Sequence, residues 1–433
     1  MNYEQAINYI HGMSGRGSKL GLTRITKLLN LMGNPHHNLK FIHIAGTNGK
    51  GSTAAMTSSI LTAAGYNVGM YISPFINRFN ERIQLNNRPI SDEDLAELTG
   101  YVRDYAESMI PDLPTEFEVI TAVGFEYFKR KGCDIVVLEV GLGGEFDSTN
   151  VIGTPELAII TPIGLDHTRI LGDTIEQIAY AKAGIIKQNT DVVVHGQNEP
   201  AIKVFKAKCD NTSSNLHVVD FTTLIDTEYN LDYQTFSFGR FKDVQLGLIG
   251  AYQSHNAAVV LTAIDVLITK GYYITDESIY KGMHNVKWPA RFEVLSKEPV
   301  MIVDGGHNPH GVRGTCASIS RYFGEERIPI LMGVMADKDV SGILDIIIPH
   351  ASVIYTVHPD NPRSMSCDGL ADLIISKGGK SISCGTVSQG IDRLMHDIGT
   401  SGKACALGSL YLAGEVRQYY LSKLNGGKNG SDS

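Results

Sequence analysis

A glycine-rich turn that carries one lysine and one serine separates an apolar stretch from a segment that favours a helix. The apolar stretch is Phe41–Ala45, and the turn reads Gly46, Thr47, Asn48, Gly49, Lys50, Gly51 and Ser52. Glycines let backbone amides approach phosphate oxygens, a lysine supplies a point charge, and a serine hydroxyl can face Mg²⁺. These residue types in this order predict a strand, a phosphate-binding turn and the start of a helix.

This turn departs from the common phosphate-loop pattern at two positions. That pattern has Ser or Thr directly after the lysine and a glycine further upstream. Here Gly51 follows Lys50, and Ile44 occupies the upstream glycine position. The turn is therefore a variant phosphate loop, and the alternative is an ordinary glycine turn between a strand and a helix.

A second segment places a carboxylate at the end of an apolar strand. Glu139 lies near the end of Ile135–Val140 and precedes the glycine-containing run Gly141–Gly144. A buried carboxylate without a partner is costly, and Mg²⁺ prefers oxygen ligands. We therefore expect Glu139 to bind a cation, with a structural salt bridge as the alternative.

Polar residues also follow the predicted strand that ends near Ile72. The segment Tyr71–Ser91 is dense in Asn and Arg; Ser73 in it could ligate a metal, and Arg78 and Arg82 could bind an anionic substrate. A solvated loop is the alternative for each of these residues taken alone.

Asp166 and His167 come after the predicted strand Leu157–Thr161. Because they share the strand-end position of Glu139, a metal or phosphate role is expected for the histidine. Lys182 lies further along a predicted helix, and a partly buried lysine beside metal chemistry can change its character. The alternative for a single histidine is an ordinary structural residue.

A fifth segment, Met301–Gly314, begins as a strand and ends in Asp304, Gly305, Gly306 and His307. An aspartate, glycines and a histidine at a strand end suggest contacts to a nucleotide. A tight strand-to-helix turn with a capping aspartate is the alternative.

Composition limits the classes of protein that fit. The chain has 433 residues, which is too long for one ordinary core, so two or three domains are expected. A net charge of −8 argues against a nucleic-acid-binding protein. The six cysteines form no CxxC pair, no stretch is long and apolar enough to span a membrane, and the N-terminus lacks the apolar core of a signal peptide. A cytoplasmic protein that binds neither nucleic acid nor membrane is expected.

Strand and helix signals alternate almost throughout, which predicts an α/β fold with mostly parallel sheets. The strand candidates of the first part are Phe41–Ala45, Asn67–Ile72, Ile135–Val140, Leu157–Thr161 and Val192–His195, and clear helical patterns cover Asp92–Met109 and Glu118–Lys131. Residues 210–248 favour short strands, including Tyr233–Phe238, and are expected to form a small antiparallel annex to the first domain.

The segment Trp288–Leu295 is a predicted hinge, because Pro289 stops a helix and a new apolar strand follows. A second, smaller α/β domain is then predicted. Its strand candidates are Val300–Val303, Ile328–Val334, Val353–Thr356, Ser381–Ser383 and Ala404–Leu407. The expected domains are residues 1–293 and 294–425, followed by a disordered Gly-, Ser- and Asn-rich tail at 426–433.

The order of these motifs resembles the folylpolyglutamate synthase / dihydrofolate synthase family of the Mur ligase superfamily. The similarity spans nearly the whole chain, in GLTRITKLL (Gly21–Leu29), HIAGTNGKGS, SPFINRFNERI, EVGLGGEFDSTN, LDHTRILGDTIEQIAYAKAGIIK, PARFEVL, DGGHNPHG and GSLYLAGEV (Gly408–Val416). The resemblance implies a P-loop-type, mostly parallel sheet domain with the antiparallel annex, and a smaller C-terminal Rossmann-like domain.

The resemblance also implies roles at matching positions. The ATP-binding residues would be Thr47, Asn48, Gly49, Lys50, Gly51, Ser52, Asn256, Arg291, Asp304 and His307. The Mg²⁺ ligands would be Ser52, Ser73, Glu139 and His167. Lys50, His167 and Lys182 would act in catalysis, and Lys182 matches a lysine that some members carry as a carbamate, formed by uptake of CO₂ at the side-chain nitrogen.

Folate or pterin contacts are implied at Gly12, Met13, Ser14, Gly15, Arg82, Thr115, Phe117, Glu118, Phe146, Asp147 and Ser148. Three positions depart from the family pattern. Phe75 replaces the usual His after Ser-Pro, Glu145 replaces the usual Arg after GLGG, and Ala290 replaces the Gly of PGR. The first two departures leave the ATP-binding motifs intact and concern the pteridine or acyl-acceptor side.

The implied reaction is ATP-dependent amide ligation. A carboxylate would attack the γ-phosphate of ATP to form an acyl phosphate, and the amine of L-glutamate would then displace phosphate. The expected small-molecule substrates are ATP, L-glutamate and a folate or dihydropteroate; whether both acyl substrates are used stays open. The expected cofactors are ATP, Mg²⁺, a monovalent cation (K⁺) and N6-carboxylated Lys182, and a monomer is expected.

Two alternative functions stay open at this point. Another Mur-type amino-acid ligase would need a uridine-binding domain before the phosphate loop, and only about 40 residues precede it here. A P-loop ATPase or kinase without ligase activity would not need the second domain. Dependence of ATP hydrolysis on both a folate and glutamate would separate these functions.

Overall fold

A mixed sheet occupies the first part of the chain in the computed structural model, which describes residues 1–13, 17, 21–196 and 199–428. Its strands are β1 (Phe41–Ala45), β2 (Val68–Tyr71), β3 (Ile83–Leu85), β4 (Arg88–Pro89), β5 (Ile135–Glu139), β6 (Leu157–Ile160), β7 (Asp191–Val194) and β8 (Asn215–Val218). Within the described ranges the order is β4-β3-β2-β5-β1-β6-β7-β8. In this order, β2, β5, β1, β6, β7 and β8 each pair with their neighbours in parallel, and β3 and β4 add an antiparallel edge beside β2.

Helices accompany this sheet, namely α1 (Tyr3–His11), α2 (Thr23–Leu31), α3 (Lys50–Ala63), α4 (Asp92–Glu107), α5 (Glu116–Arg130), α6 (Thr168–Leu171), α7 (Ile175–Ala183), α8 (Glu199–Thr212), α9 (Gln253–Thr269) and α10 (Asp276–Asn285). Every residue of β1 and β5 is buried. Such continuous burial is expected of parallel strands covered on both faces, and it explains why these strands appear in the sequence as unbroken apolar runs. The predicted α/β fold with a mostly parallel sheet is confirmed.

The contacts between residues divide the chain into two compact units. The first unit comprises Met1–Leu224 and His255–Val286, and the second comprises Ile225–Ser254 and the chain from Lys287 onward. The second unit therefore begins before the predicted boundary at residue 294, and it includes an internal segment that the prediction left in the first domain.

That internal segment forms an antiparallel sheet of β9 (Ile225–Tyr229), β10 (Gln234–Phe238) and β11 (Phe241–Leu246). The antiparallel arrangement was expected, but its assignment to the first domain was wrong. Asp226 pairs with Arg321 at 2.9 Å and Gln234 accepts a hydrogen bond from Tyr322 at 3.3 Å, so side chains from a distant helix anchor it in the second unit. The earlier part of the predicted annex is β8, a parallel strand of the main sheet.

The second unit contains a six-stranded sheet of β12 (Glu293–Lys297), β13 (Val300–Val303), β14 (Ile328–Met332), β15 (Ala351–His358), β16 (Ser381–Thr386) and β17 (Lys403–Leu407), in the order β12-β13-β17-β14-β15-β16 within the described chain. β12 is antiparallel to β13, and the other neighbours are parallel. Its helices are α11 (Pro309–Phe323), α12 (Val340–Ile347), α13 (Cys367–Ser376), α14 (Val387–Ile398) and α15 (Leu410–Lys428). This is the expected Rossmann-like α/β arrangement.

Helix α15 continues to Lys428, so the prediction of disorder from residue 426 was wrong for its first three residues. Adding a residue to an existing helix forms one hydrogen bond for each residue fixed, which lets a helix continue into a weakly helical sequence. Residues 429–433 of the predicted tail lie outside the described residues.

Candidate active site

The phosphate loop follows β1 and leads directly into α3, as predicted. Gly46 has φ 149° and Gly49 has φ 85°, in a region that favours glycine. A Cβ atom on Gly46 would collide with the side chain of Thr161, and one on Gly49 would lie 2.6 Å from Asn256 Oδ1. Both glycines are therefore needed for close approach as well as for backbone conformation.

Hydrogen bonds to the segment after β6 hold the loop in shape. Thr47 donates from its backbone nitrogen to Pro162 O (2.9 Å) and from Oγ1 to Gly164 O (3.0 Å). Thr161 Oγ1 donates to Asn48 O at 2.7 Å. The loop is fixed by neighbouring backbone before any ligand binds.

Asn256 lies beside this loop, although it is more than 200 positions away in the sequence. Its Oδ1 is the nearest atom to a Cβ placed on Gly49, and only 3% of its surface is exposed. The structure brings this predicted ATP-contacting residue to the phosphate loop through the first turn of α9. Its contact with ATP stays a prediction.

Charged and hydroxyl groups meet at the start of α3. Lys50 Nζ lies 3.9 Å from Glu139 Oε1 and donates a hydrogen bond to Thr47 O at 3.3 Å. Glu139 Oε2 accepts a hydrogen bond from the backbone nitrogen of Ser73 at 3.1 Å. Glu139 is 4% exposed and Ser52 is 1% exposed. The strand ends therefore bring Lys50, Glu139 and Ser73 together, and their roles toward ATP and Mg²⁺ stay predictions.

These groups fit a magnesium ion that is coordinated partly by the protein and partly by the phosphate oxygens of a nucleotide. Carboxylate and hydroxyl oxygens are hard ligands, and Mg²⁺ keeps several positions for water and phosphate oxygens. In the described chain no group of three or more His, Cys, Asp or Glu side chains is arranged to hold a metal by itself. The predicted set of Ser52, Ser73, Glu139 and His167 contains only two such residues, and Mg²⁺ binding by this set stays a prediction.

His167 lies at the start of α6 with φ 51°, and its side chain is 47% exposed. Its backbone nitrogen donates to Asp166 Oδ1 at 2.9 Å. The aspartate thus holds the left-handed turn that presents the histidine, and metal coordination by His167 stays a prediction.

Lys182 is 5% exposed, and its Nζ donates a hydrogen bond to Gly46 O at 2.7 Å. Burial lowers the pKa of Lys182 to about 7, with the nearby charge of Lys50 as a second cause; Asp166 and Asp147 oppose the shift. A lysine of this kind is poised between its charged and neutral forms near neutral pH. The sequence indicated the residue, but its contact with the phosphate loop could not be predicted.

The turn after β5 is held by Asp147, which was predicted to contact a pterin. Its Oδ2 accepts from Leu142 N at 2.8 Å, and its Oδ1 accepts from Thr149 Oγ1 at 2.6 Å and from Thr149 N at 3.0 Å. Asp147 is 4% exposed, and burial raises its pKa. These contacts give Asp147 a positioning role in the turn.

His43 extends this network and was missed by the sequence analysis. Its Nε2 lies 2.9 Å from Thr149 Oγ1, and because that hydroxyl donates to Asp147, His43 Nε2 donates to Thr149. His43 is fully buried in β1, and burial lowers its pKa to about 3, so the ring is neutral. The available signal was a single polar residue inside an apolar strand.

Other predicted pterin-contacting residues also make internal contacts. Thr115 and Glu118 form a capping box at the start of α5, in which Glu118 Oε2 accepts from Thr115 N at 2.7 Å. Arg24 Nε donates to the same oxygen at 3.2 Å, which joins α2 to α5. The Phe117 ring lies where a Cβ on Gly141 would meet it at 2.5 Å, so that glycine is needed for close packing.

The remaining predicted folate positions lie in separate segments of the first unit. Gly12 caps α1, Met13 is buried, and Ser148 begins a short 3-10 turn. Phe146 is exposed and, with the departure Glu145 and Tyr180, lines a cavity of about 660 Å³. Ser14 and Gly15 lie outside the described residues. Arg82 packs against aromatic rings in the loop after β2.

In the second unit, Asp304 accepts four hydrogen bonds. Its Oδ2 accepts from Tyr252 Oη and Phe292 N, both at 2.8 Å, and its Oδ1 accepts from Gly306 N at 2.8 Å and Thr315 Oγ1 at 2.7 Å. Asp304 is 3% exposed. This carboxylate joins the end of β13 to α11 and to the segment before β12, and the predicted ATP contact by Asp304 stays a prediction.

The segment predicted as a hinge is anchored inside the second unit. Ala290 N donates to Glu293 Oε2 at 2.8 Å, and Gly305 N donates to Ala290 O at 2.8 Å. Arg417 in turn donates from Nε to Glu293 Oε2 at 2.6 Å. Ala290 has φ 55° and Phe292 has φ 49°, which is costly for residues with a Cβ. The family pattern places a glycine at the first of these positions.

The other two predicted ATP-contacting residues of this unit lie next to these anchors. Arg291 Nη1 donates to Ala290 O at 3.4 Å, and His307 Nδ1 lies 2.9 Å from Gly305 O. Their role toward ATP also stays a prediction.

Two Mur ligase families match most of this chain. Residues 44–264 match the family described as Mur ligase middle domain, and residues 290–407 match the Mur ligase, glutamate ligase domain. Folylpolyglutamate synthase of Lacticaseibacillus casei is 36% identical over 99% of this chain and 100% of its own length. This chain belongs to the folylpolyglutamate synthase / dihydrofolate synthase family. The resemblance expected from the motifs, and with it a Mur-type ligase, is confirmed.

Two further similarities agree with this membership. The dihydrofolate synthase/folylpolyglutamate synthase of Bacillus subtilis is 35% identical over 96% of this chain and 98% of its length. The structure of Mycobacterium tuberculosis folylpolyglutamate synthase complexed with ADP and AMPPCP has a TM-score of 0.87 at 27% identity, and covers 97% of this chain and 99% of that one. In the described part of the chain, none of the helices has the length and apolar character needed to cross a membrane.

Proposed function

We propose that this protein ligates L-glutamate to a folate carboxylate with ATP, through an acyl phosphate that glutamate then attacks to release phosphate. The observation that carries this proposal is the variant phosphate loop with Lys50 3.9 Å from the buried carboxylate of Glu139. A cation and a metal-binding carboxylate at the loop suit a reaction in which two anions, a triphosphate and a carboxylate, must approach each other. The names of the L. casei and B. subtilis relatives support folate as the acyl substrate.

The residues of the loop would act by binding and by charge. The backbone amides from Thr47 to Ser52 would hold the β- and γ-phosphates, and Lys50 would stabilise the charge that develops during phosphoryl transfer. The loop is preorganised by its bonds to the segment after β6, so little reorganisation is needed at that step. Asn256, Arg291, Asp304 and His307 are the further ATP contacts that family membership supports.

Ser52, Ser73, Glu139 and His167 would hold Mg²⁺, which when bound supplies positive charge beside the phosphates. Glu139 is oriented for this role by the hydrogen bond from Ser73 N. K⁺ is proposed as a second, monovalent cation on family resemblance alone.

Lys182 is proposed to react as its neutral amine with CO₂ and to act as an N6-carboxylated side chain. Its lowered pKa of about 7 supports this proposal, because the neutral amine is the reactive form. Its position next to Gly46 places the resulting anion close to the phosphate loop.

Dihydropteroate is a second acyl substrate that the name of the B. subtilis relative favours. The pteridine would contact the predicted positions near Met13, Phe117 and Phe146. We also propose that the protein acts as a monomer in the cytoplasm; its six cysteines are free, which suits a reducing compartment.

The test is phosphate release from ATP with tetrahydrofolate or dihydropteroate, each with and without L-glutamate, and a product mass that increases by one glutamyl residue. We expect release only when an acyl substrate and glutamate are both present, and loss of release in Lys50→Ala with unchanged circular dichroism. The exposed Lys203, changed to Ala, is the matched control and should keep full activity. ATP hydrolysis that ignores both substrates would instead support a P-loop ATPase.

A further inference from the structure

The C-terminal end of α7, which carries Lys182, is capped by the turn that follows β5. The last carbonyl groups of a helix have no partner within that helix and are satisfied from outside it. Glu145 N donates to Ala181 O at 3.1 Å. Asn150 Nδ2 donates to Gly184 O at 3.1 Å and to Glu145 O at 3.0 Å. These bonds join the turn to residues on both sides of Lys182.

The side chain of Asn150 binds two carbonyl groups at once. Asn150 is 4% exposed, and its NH₂ group donates one hydrogen bond to the turn and one to the residue that follows α7. An oxygen in place of this NH₂ group would face two acceptors, so the orientation of the amide is fixed. The backbone is held as well, since Asn150 N donates to Asp147 O and Asn150 O accepts from Lys187 Nζ, both at 2.8 Å. Asn150 is thus a rigid bridge between the turn and the helix.

Two glycines allow the turn and the helix to approach so closely. A Cβ atom on Gly144 would lie 2.8 Å from Lys182 O, and one on Gly184 would lie 2.4 Å from Glu145 Cβ. Gly184 has φ −58°, which any residue adopts, so the lack of space and not the conformation requires glycine there. Lys182 is therefore held between the backbone of this turn and the phosphate loop, where its Nζ donates to Gly46 O at 2.7 Å.

We propose that Asn150 is a positioning residue for Lys182, and that it holds the end of α7 so that the lysine amine stays buried against the phosphate loop. This inference rests on the proposed function and deepens it, because it names a residue that controls the proposed carboxylation. Without the bridge, the unpaired carbonyl groups at the end of α7 would turn to water and the amine would become exposed.

Exposure of the amine would change its chemistry. Burial is the chief cause of the lowered pKa of Lys182, and the charge of Lys50 is a second cause. Asp166 and Asp147 oppose the shift. A lysine amine that is open to water is charged at neutral pH, and the charged amine does not react with CO₂. Loss of the bridge is therefore expected to disfavour carboxylation.

The bridge uses only the backbone of Glu145, the position at which the family pattern has Arg. Its hydrogen bonds to Ala181 and from Asn150 involve its peptide nitrogen and oxygen, and its side chain is exposed. The reversal of side-chain charge at this position therefore leaves the bridge intact. Glu145→Arg is expected to leave the surroundings of Lys182 unchanged.

The experiment measures how fast Lys182 reacts with trace acetic anhydride in the full chain, in buffer freed of CO₂ and bicarbonate. Mass analysis of the peptide that contains Lys182 gives the rate, which is divided by the rate of the exposed Lys206 in the same sample. Asn150→Ala should raise this ratio about tenfold, because the two hydrogen bonds that close the end of the helix are lost. Glu145→Arg should leave the ratio as it is in the wild type.

The matched control is Asn67→Ala. The Asn67 amide also bridges two carbonyl groups, those of Lys131 and Gly132 at 2.9 and 3.1 Å, but it lies before β2 and away from the phosphate loop. Asn67→Ala removes the same kind of contact from the fold and should keep the wild-type ratio for Lys182.

A second variant tests the bridge without changing Asn150, in case Asn150→Ala does not fold. In Gly184→Ala the added methyl group would push the turn away from the end of α7, so the ratio should rise. Gly153→Ala is its control, because a Cβ there would meet no atom within 4 Å, and the ratio should stay unchanged.

An Asn150→Ala ratio equal to that of the wild type would overturn the proposal. Equal increases in Asn150→Ala and Asn67→Ala would also overturn it, since they would indicate a general loss of stability. Ligation is measured in parallel, and the bicarbonate concentration that gives half-maximal activity should rise several-fold in Asn150→Ala. If bicarbonate does not affect the wild type while the ratio still rises in Asn150→Ala, the positioning role is supported and the proposed carboxylation is contradicted.

Discussion

Lys182 Nζ donates a 2.7 Å hydrogen bond to the carbonyl oxygen of Gly46, the first residue of the phosphate loop. The two residues are 136 positions apart, and the bond joins α7 to the turn after β1. Because the lysine is 5% exposed, it can affect both the loop and the stability of the fold. Two predictions depend on this contact.

The first prediction concerns stability and pH. The pKa of Lys182 is lowered from 10.5 to about 7 in the folded protein, chiefly by burial. Between these values the unfolded chain binds more protons than the folded chain, so Lys182 makes the free energy of unfolding rise with pH from about 7 to about 10.5. Below that window the buried charge is a constant penalty.

Lys182→Met should therefore flatten this rise in the free energy of unfolding. The difference in denaturation midpoint, variant minus wild type, should be more positive below about pH 7 than at high pH. Urea unfolding at several pH values measures the effect, in buffer freed of CO₂ and bicarbonate so that the amine is not carboxylated. Lys206→Met, at an exposed position, is the control and should keep the wild-type slope. An identical slope in Lys182→Met would contradict the assigned shift.

The second prediction concerns the chemistry of Lys182. If its side chain acts as a carboxylated amine, Lys182→Ala should lose most ligase activity and regain part of it when a small carboxylate such as acetate is added. Wild-type activity should also fall when CO₂ and bicarbonate are removed. Full activity in Lys182→Ala, or a loss that neither acetate nor bicarbonate influences, would count against carboxylation.

The third prediction uses the left-handed backbone at Ala290, where φ is 55°. In this conformation a residue with a Cβ destabilises the folded state by about 1–2 kcal/mol, and a glycine avoids that cost. Glycine in turn lowers the free energy of unfolding by about 0.5–1 kcal/mol, because it has more conformational entropy in the unfolded chain. Ala290→Gly should therefore raise the free energy of unfolding by about 0.5 kcal/mol. Ala207→Gly, in the exposed right-handed helix α8, should lower it by about 1 kcal/mol. Equal losses at both positions would show that Ala290 is unstrained.

The fourth prediction concerns the four hydrogen bonds to Asp304. An asparagine has one oxygen and one NH₂ group, so Asp304→Asn would set a donor against two existing donors. We expect the free energy of unfolding to fall by about 2–3 kcal/mol, measured by urea unfolding. Asp372→Asn, on the exposed face of α13, should change it by less than about 0.5 kcal/mol. A neutral Asp304→Asn would mean that these bonds contribute nothing net.

Sequence reasoning identified the parts of the site that depend on neighbouring residues. The apolar run before Gly46 and the residue types from Thr47 to Ser52 predicted β1, the loop and α3, because parallel strands are buried on both faces and glycines are needed where phosphate approaches. Glu139 and Ser73 were expected near each other because the family resemblance makes both of them Mg²⁺ ligands. The first of these expectations uses only local order, and the second rests on the resemblance.

Features that depend on contacts between side chains in the folded chain could not be predicted from neighbouring residues. The pterin contact of Asp147 stays a prediction, whereas the hydrogen bonds from Thr149 and Leu142 to its oxygens were not foreseen, because they appear only once the turn is folded. The strands from residue 225 onward were placed with the wrong domain because Asp226 pairs with Arg321 across nearly one hundred residues. No periodicity or motif encodes such a partner.

The central claim is that a substrate carboxylate takes the γ-phosphoryl group of the ATP held by the loop at Lys50. The most direct measurement uses a folate whose glutamyl carboxylate carries heavy oxygen, turned over with ATP and L-glutamate, with mass analysis of the released phosphate. An acyl phosphate transfers one labelled oxygen to that phosphate, and this is the expected result. Unlabelled phosphate formed together with ligated product would contradict the account.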